Sequence, residues 1–257
     1  MSILEAFRIE GQVAVVTGAG KGIGRAIAIA LAEAGADVAL GARTAADIEA
    51  VAEEVRALGR RAIAVPTDAT SMTALENLAA RATAELGTIG IWVSNAGGIP
   101  DGNPRYLTKT TEESWDAQVD LNLKAVWMGA VVAAKTMGPA GGAILNTSSR
   151  AAFGPQVKNG PYAAAKAGVN SLTQTLSREL APRIRVNAVA PGPIPTENFN
   201  DCMGTEDEAR REALREMIGI PLQRYGREMD IAAAALYLVS PASSWVTGQC
   251  LYVAGGL

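Results

Sequence analysis

QVAVVTGAGKGIGRAIAIALAEAG, residues 12–35, decides how the chain is read. Its opening, QVAVVTG (12–18), is a short apolar and β-branched run that ends in glycine, the pattern of a strand buried in a parallel sheet. Residues 25–34 are alanine-rich and stop at Gly35, which predicts a helix. Between them TGAGKGIG (17–24) puts Gly18, Gly22 and Gly24 at the strand-to-helix turn. Glycines there let the backbone approach a pyrophosphate, and a helix N-terminus supplies free N–H groups and a positive dipole end. Tight turns also use glycine without any ligand, so the pattern gains its meaning from the strand before it and the helix after it. In that setting the turn predicts a dinucleotide site lined by Gly18, Lys21, Gly22, Ile23 and Gly24.

Outward from this unit the same alternation continues. Residues 36–43, 61–68, 88–98, 141–149, 183–192 and QCLYVAGG (249–256) read as strands. Helices are expected over 44–58, 71–86, 111–137, from Tyr162 to about 180, and 228–239. Residues 99–110 are polar and turn-rich, and 193–227 break the alternation with prolines and the charged stretch TEDEARREALREM. Strands alternating with helices of this length predict βαβ units. The expected fold is α/β: a Rossmann-type doubly wound parallel sheet of about seven strands, one domain over 1–257, with a substrate flap around 193–227. No repeat or linker interrupts it.

Composition narrows the chemistry. Nearly half of the 257 residues are apolar, enough for a sizeable core. A net charge of −3 gives no support for nucleic acid or an anionic membrane as partner. The beginning, MSILEAFRIEG, lacks a basic segment or long apolar stretch, and nothing approaches a membrane-spanning length, so a cytoplasmic setting is expected. Cys202 and Cys250 are far apart and form no ligand pattern, which suits a reducing compartment. The chain has no histidine. Ser-His-Asp and Cys-His catalysis are thereby removed and a zinc site is disfavoured. Proton transfer falls to Tyr, Lys or carboxylates.

Tyr162 and Lys166 stand at i and i+4 in GPYAAAKAGVNSLTQTLSREL, thirteen residues after Ser149. That spacing puts both on one helix face. An ammonium beside a phenol favours the phenolate, and a tyrosine so tuned can give or take a proton at a carbonyl or hydroxyl oxygen. The end of the second strand, Gly41-Ala42-Arg43-Thr44, carries no acid to meet a ribose 2′-hydroxyl. With Arg43 there and Lys21 in the glycine turn, a 2′-phosphate is favoured, so NADP(H) is preferred and NAD(H) is second. Asp68, followed by Ala69, can receive the adenine amino group, and Asn95-Ala96-Gly97 ends the fourth strand where the cofactor should pass.

TGAGKGIG, Asp68, Asn95-Ala96-Gly97, Asn122, Ser149, Tyr162-x-x-x-Lys166 and Pro191-Gly192 with Thr196 together resemble the short-chain dehydrogenase/reductase family, over residues 11–256 and in its order and spacing. The resemblance implies a catalytic set of Asn122, Ser149, Tyr162 and Lys166, with hydride transfer from a nicotinamide and proton transfer by Tyr162. Ser149 would hold the substrate oxygen. Lys166 would bind the nicotinamide ribose and tune Tyr162, while Asn122 would hold a water in a proton relay. A packing reading of Asn122, capping a kink inside a helix, is compatible with that role. In the family the segment PGPIPTE carries the nicotinamide amide, through the Ile194 backbone and Thr196. Homotetramers through the 111–137 and 161–180 helices and the last strand are also implied. The chain departs from the family pattern at Ser94, Gly90 and Ala254, where asparagine, aspartate and aspartate are usual.

The implied activity is an NADP(H)-dependent oxidoreductase that interconverts a ketone and a secondary alcohol. A catalytically silent nucleotide sensor or scaffold of the same fold is the alternative, although loss of the tyrosine, lysine or serine would be expected of one. The substrate is a small carbonyl or alcohol compound, of the 3-oxoacyl-thioester or the hydroxysteroid and alicyclic alcohol type. Pocket candidates are 99–106, 150–159 and the flap with Phe199, Met203, Met217 and Tyr225. Arg150 or Lys158 could meet an anionic group.

Overall fold

The apolar run before the glycine turn forms β1 (Val13–Thr17), every residue of it buried. The computed structural model describes residues 2–100, 104–205 and 207–257, with the side chains of 198, 201 and 202 left out, so the pocket candidates at 101–103 lie outside it. From β1 the chain runs through α1 (Gly22–Glu33), β2 (Asp37–Ala42), α2 (Ala45–Ala57), β3 (Ala62–Pro66), α3 (Met72–Glu85) and β4 (Ile89–Ser94). The second half contains α4 (Glu112–Val119), α5 (Ala125–Thr136), β5 (Gly142–Thr147), α6 (Gly160–Glu179), β6 (Ile184–Pro191), α7 (Glu197–Met203), α8 (Glu208–Ile218), α9 (Glu228–Val239) and β7 (Cys250–Val253).

The seven strands form one sheet in the order β3-β2-β1-β4-β5-β6-β7, and every neighbouring pair is parallel. Alternate residues of each strand feed two cores. Ala14, Val16, Leu40, Val93 and Leu145 face Ile27 and Leu31 of α1, Ile48 of α2 and Ile231 and Leu238 of α9. Val13, Val15, Trp92 and Ile144 face Leu75 and Leu78 of α3, Met128 and Val132 of α5 and Leu176 of α6. Each such aliphatic side chain contributes about 1.5–3 kcal/mol by leaving water. Covering both faces is why the strands read as unbroken apolar runs. Gly129 of α5 lets the indole of Trp92 come close: a Cβ there would stand 2.9 Å from Trp92 Nε1 and 2.8 Å from Ser94 Oγ.

The chain winds outward from β1 in one direction and from β4 in the other. The crevice at the carboxyl ends of β1 and β4 is therefore the switch point at which open α/β sheets bind ligands.

Two segments differ from the sequence-based expectation. The helix expected over 111–137 is divided by a π-helical turn at Asp120–Lys124. The 193–227 stretch is largely helical, in α7 and α8, each closed by a left-handed glycine, Gly204 at φ 62 and Gly219 at φ 68. Helix α8 buries no residue. Among the described residues no helix is long and apolar enough to cross a membrane.

Candidate active site

Thr17, the last residue of β1, organises the switch point. Its hydroxyl donates to the Val93 carbonyl at 3.3 Å and accepts the N–H groups of Asn95 and Ala96 at 3.0 and 3.2 Å. Asn95 Nδ2 in turn donates to the carbonyls of Thr17 and Gly18, each at 3.2 Å. The continuation of β4 is thus laid directly across the glycine turn. A Cβ on Gly18 would lie 2.8 Å from Ala96 Cα, and one on Gly24 would collide with the Gly18 carbonyl. Gly18 also adopts φ 64, which favours glycine. Lys21, at the N-cap of α1, makes no capping hydrogen bond, so its side chain takes none of the first-turn N–H groups. This cradle fits a pyrophosphate.

After β3, where the adenine is expected, Asp68 accepts from the backbone N–H and hydroxyl of Thr70 at 2.9 and 2.7 Å. Those bonds first, and the charge of Arg43 to a lesser degree, hold its carboxyl below the usual range. Arg43 is exposed and Ala69 buried. Lys21 is engaged: its ammonium lies 3.0 Å from Glu197 Oε2 and 3.7 Å from Asp47 Oδ2. The hydrogen bond it donates to the Glu197 carboxylate is the main cause of its raised pKa.

Tyr162 and Lys166 share α6, as their spacing predicts. Lys166 is only 3% exposed. Its ammonium donates to the Thr147 carbonyl at 2.8 Å and lies 5.8 Å from the centroid of the Tyr162 ring. Burial lowers its pKa to about 8. Asn122, fully buried, stands in the π-helical turn. Its Nδ2 donates to Gly98 O at 2.8 Å and to Gln118 O and Oε1 at 3.1 and 3.0 Å, while Oδ1 accepts from Gly98 N at 3.0 Å. A Cβ on Gly97 would sit 3.0 Å from Asn122 Oδ1 and 3.3 Å from Lys166 Nζ, so the carboxamide and the ammonium converge over that glycine.

Ser148 and Ser149 separate cleanly. Ser148 is buried and donates to Asn170 Oδ1 at 2.6 Å, whereas Ser149 is half-buried and accepts the Ala151 N–H, at 3.1 Å, where it caps a short 3-10 turn that packs on α6. After β6, Gly192 donates to the Val253 carbonyl at 2.9 Å and Ile194 is buried. Thr196 caps α7 by accepting from Phe199 N, and a Cβ on Gly22 would lie 3.0 Å from its methyl. The start of the flap therefore rests on the glycine turn.

Comparison with known proteins accords with this geometry. A family model described as enoyl-(acyl carrier protein) reductase matches residues 18–257. The 3-oxoacyl-acyl-carrier-protein reductase FabG of Staphylococcus epidermidis is 36% identical over 247 residues, 95% of this chain and 98% of the relative. A short-chain type dehydrogenase/reductase from Mycobacterium marinum superposes with a TM-score of 0.90 at 37% identity, over 99% of this chain and 98% of that one. The chain belongs to the short-chain dehydrogenase/reductase family. Another solved relative, a 7α-hydroxysteroid dehydrogenase complexed with NADH and 7-oxo glycochenodeoxycholic acid, has a TM-score of 0.91 at 36% identity, over 100% of this chain and 98% of that one.

Against that family background, several residues acquire roles that sequence reasoning did not assign. Thr17, Thr147 and Gln118 position Asn95, Lys166 and Asn122 respectively. Gln118 precedes Asn122 by one helical turn, the available hint. The Gly90 departure is filled from β1's side, since a Cβ there would collide with the Gln12 side chain. Of the pocket candidates, Phe199 and Tyr225 pack on each other at 5.9 Å, and the Tyr225 hydroxyl donates to Arg211 O. Arg150 is drawn to the Tyr252 hydroxyl on β7, and Lys158 lies over the Tyr106 ring at 5.3 Å.

Proposed function

We propose that this short-chain dehydrogenase/reductase interconverts a ketone and a secondary alcohol with NADP(H), using Tyr162 as general acid and base. The observation that carries the reading is the buried Lys166 ammonium, placed between the Thr147 carbonyl and the Tyr162 ring and meeting Asn122 over Gly97. A bound nicotinamide supplies or accepts the hydride. In reduction Tyr162 gives its proton to the substrate oxygen, and Ser149, whose hydroxyl proton is not committed to Ala151, donates a second hydrogen bond to that oxygen. A donor so placed stabilises charge where it develops and is worth about 10²–10³-fold in rate. Lys166 holds positive charge beside the phenol, which favours the phenolate, and is positioned toward the ribose at Gly97. Asn122, tied to Gly98 and Gln118, keeps the turn and the ammonium in register, and would hold the water of a proton relay.

The cofactor would be held by Gly18, Gly22, Ile23 and Gly24 at the pyrophosphate, by Asp68 and Ala69 at the adenine, by Asn95, Ala96 and Gly97 along the cleft, and by Pro191, Gly192, Ile194 and Thr196 at the amide. Arg43, at the end of an acid-free β2, favours a 2′-phosphate over a 2′-hydroxyl, with Lys21 in support; NAD(H) is the second choice. The substrate is a small carbonyl or alcohol of the oxoacyl-thioester or hydroxysteroid type, by analogy with the relatives named above, admitted under the 193–227 flap. A cytoplasmic homotetramer, with neither nucleic acid nor membrane as partner, completes the reading. The free Cys250 and the exposed Trp115 and Trp127 accord with it.

The test is oxidation of NADPH and of NADH across simple ketones, oxoacyl thioesters and oxosteroids. Turnover with NADPH on at least one class is expected. NADPH binding without turnover on any would favour a nucleotide sensor, and equal use of NADH would undo the cofactor preference.

A further inference from the structure

Lys21 ties the glycine turn to two other parts of the protein. Its ammonium lies 3.0 Å from Glu197, the first residue of α7, and 3.7 Å from Asp47, in the first turn of α2. Helix α2 follows Arg43 directly, so Asp47 borders the place where the ribose is expected. Packing fixes both contacts. A Cβ on Gly20 would stand 2.8 Å from Asp47 Cβ, and one on Gly22 would stand 3.0 Å from the Thr196 methyl, next to Glu197. The turn is held between α2 on one side and the flap on the other, and Lys21 is its only basic residue.

We propose that Glu197 is a positioning residue for cofactor selection: with Asp47 it competes with the 2′-phosphate for the Lys21 ammonium, and so limits the preference for NADP(H) over NAD(H). This rests on the reading of Arg43 and Lys21 as 2′-phosphate ligands. A carboxylate and a phosphate seek the same ammonium through the same charge-assisted bonds. A ligand carrying the phosphate must draw Lys21 away from Glu197, whereas a ligand with a bare 2′-hydroxyl leaves the pair intact. The competition acts on one class of ligand alone, which separates it from a general effect on the fold. Because the pair is exposed, its removal should change affinity by about two- to five-fold, the range measured for surface ion pairs.

The test uses fragments that reach only the adenosine end, so that contacts of the flap with the nicotinamide amide do not enter. Dissociation constants for 2′,5′-ADP and 5′-AMP are measured by calorimetry on the intact protein, on Glu197→Gln, on Asp47→Asn and on each in a Lys21→Met background. The expected result is tighter 2′,5′-ADP binding in Glu197→Gln and Asp47→Asn by about two- to five-fold, with 5′-AMP unchanged and the gain lost without Lys21. An equal change for both fragments, or a gain that survives Lys21→Met, would overturn the proposal, as would no change in either variant. If the intact protein binds 2′,5′-ADP no more tightly than 5′-AMP, the NADP reading fails as well. Tighter 2′,5′-ADP binding by the intact protein with no response to either substitution defeats the competition alone.

Discussion

Lys166 is a buried ammonium that donates to the Thr147 carbonyl, and the fold bears a cost for it. Its folded pKa is about 8, against about 10.4 for an unfolded lysine. Between those values the unfolded chain holds a proton that the folded chain has released, so stability rises with pH across that window. Wild type should therefore gain melting temperature on Lys166→Met as the buffer moves from about pH 7.5 to about pH 10. A gap that stays constant or moves the other way would show that burial does not govern this lysine. Tyr162→Phe removes one oxygen from the same helix face. Turnover should fall by at least 10²–10⁴-fold, the usual contribution of a general acid, with NADPH affinity within about two-fold in a fluorescence titration. Retained turnover would end the proton-donor role. These two residues were legible because a helical spacing of four is local and the absence of histidine left few other proton carriers. The pairing of Lys21 was not, because Asp47 and Glu197 come to it from two other elements and nothing in TGAGKGIG announces them.

The element scale shows a similar division. All seven strands were visible as largely apolar runs between turn residues; the inner ones are covered on both faces and need apolar side chains, whereas the edge strand β7 stays partly exposed. A kink at Asn122 was a reading the sequence allowed, but the form of the π-helical turn was hidden, because Asn122 is held by the Gly98 backbone across the cleft as well as by Gln118 one turn earlier. Asn122→Leu should leave the Gly98 N–H and carbonyl without their protein partners, at about 1–3 kcal/mol in urea unfolding, and should weaken NADPH binding as the Gly97 turn loosens. Unchanged NADPH affinity would reduce Asn122 to a structural residue. Helix α9 depends on a different long-range device. Arg185 of β6 donates to the carbonyls of Leu238, Val239, Ser240 and Val246 and to Ser243 Oγ, satisfying a helix C-terminus that would otherwise be buried with orphan acceptors. Arg185→Met should cost about 3 kcal/mol, several times a surface substitution, and a cost under about 1 kcal/mol would mean that water replaces the guanidinium.

At the scale of the whole molecule, the face of α6 away from its catalytic side is only partly covered among the described residues. Leu123, Trp127, Gly168 and Leu172 line a shallow groove between α5 and α6, and Trp127 remains 44% exposed. Leu123 already packs on Gly168, where a Cβ would lie 2.9 Å from its Cδ1, so the two helices meet closely and leave a flat, partly apolar surface. A contiguous apolar patch rimmed by polar residues marks an interface more often than a bare surface. A second copy is the occupant that the family expectation of a tetramer supplies, and a two-fold contact would place Trp127 against the same patch on its partner. Trp127→Glu should then put an unpaired charge into that contact and shift the mass seen by light scattering from about four times the 26.5 kDa chain to a smaller species. Tyr162 and Lys166 lie on the other side of α6, so 2′,5′-ADP binding should survive the substitution and separate loss of assembly from loss of fold. A wild-type protein that runs as a monomer would remove the tetramer, and a Trp127→Glu protein of unchanged mass would move the interface elsewhere.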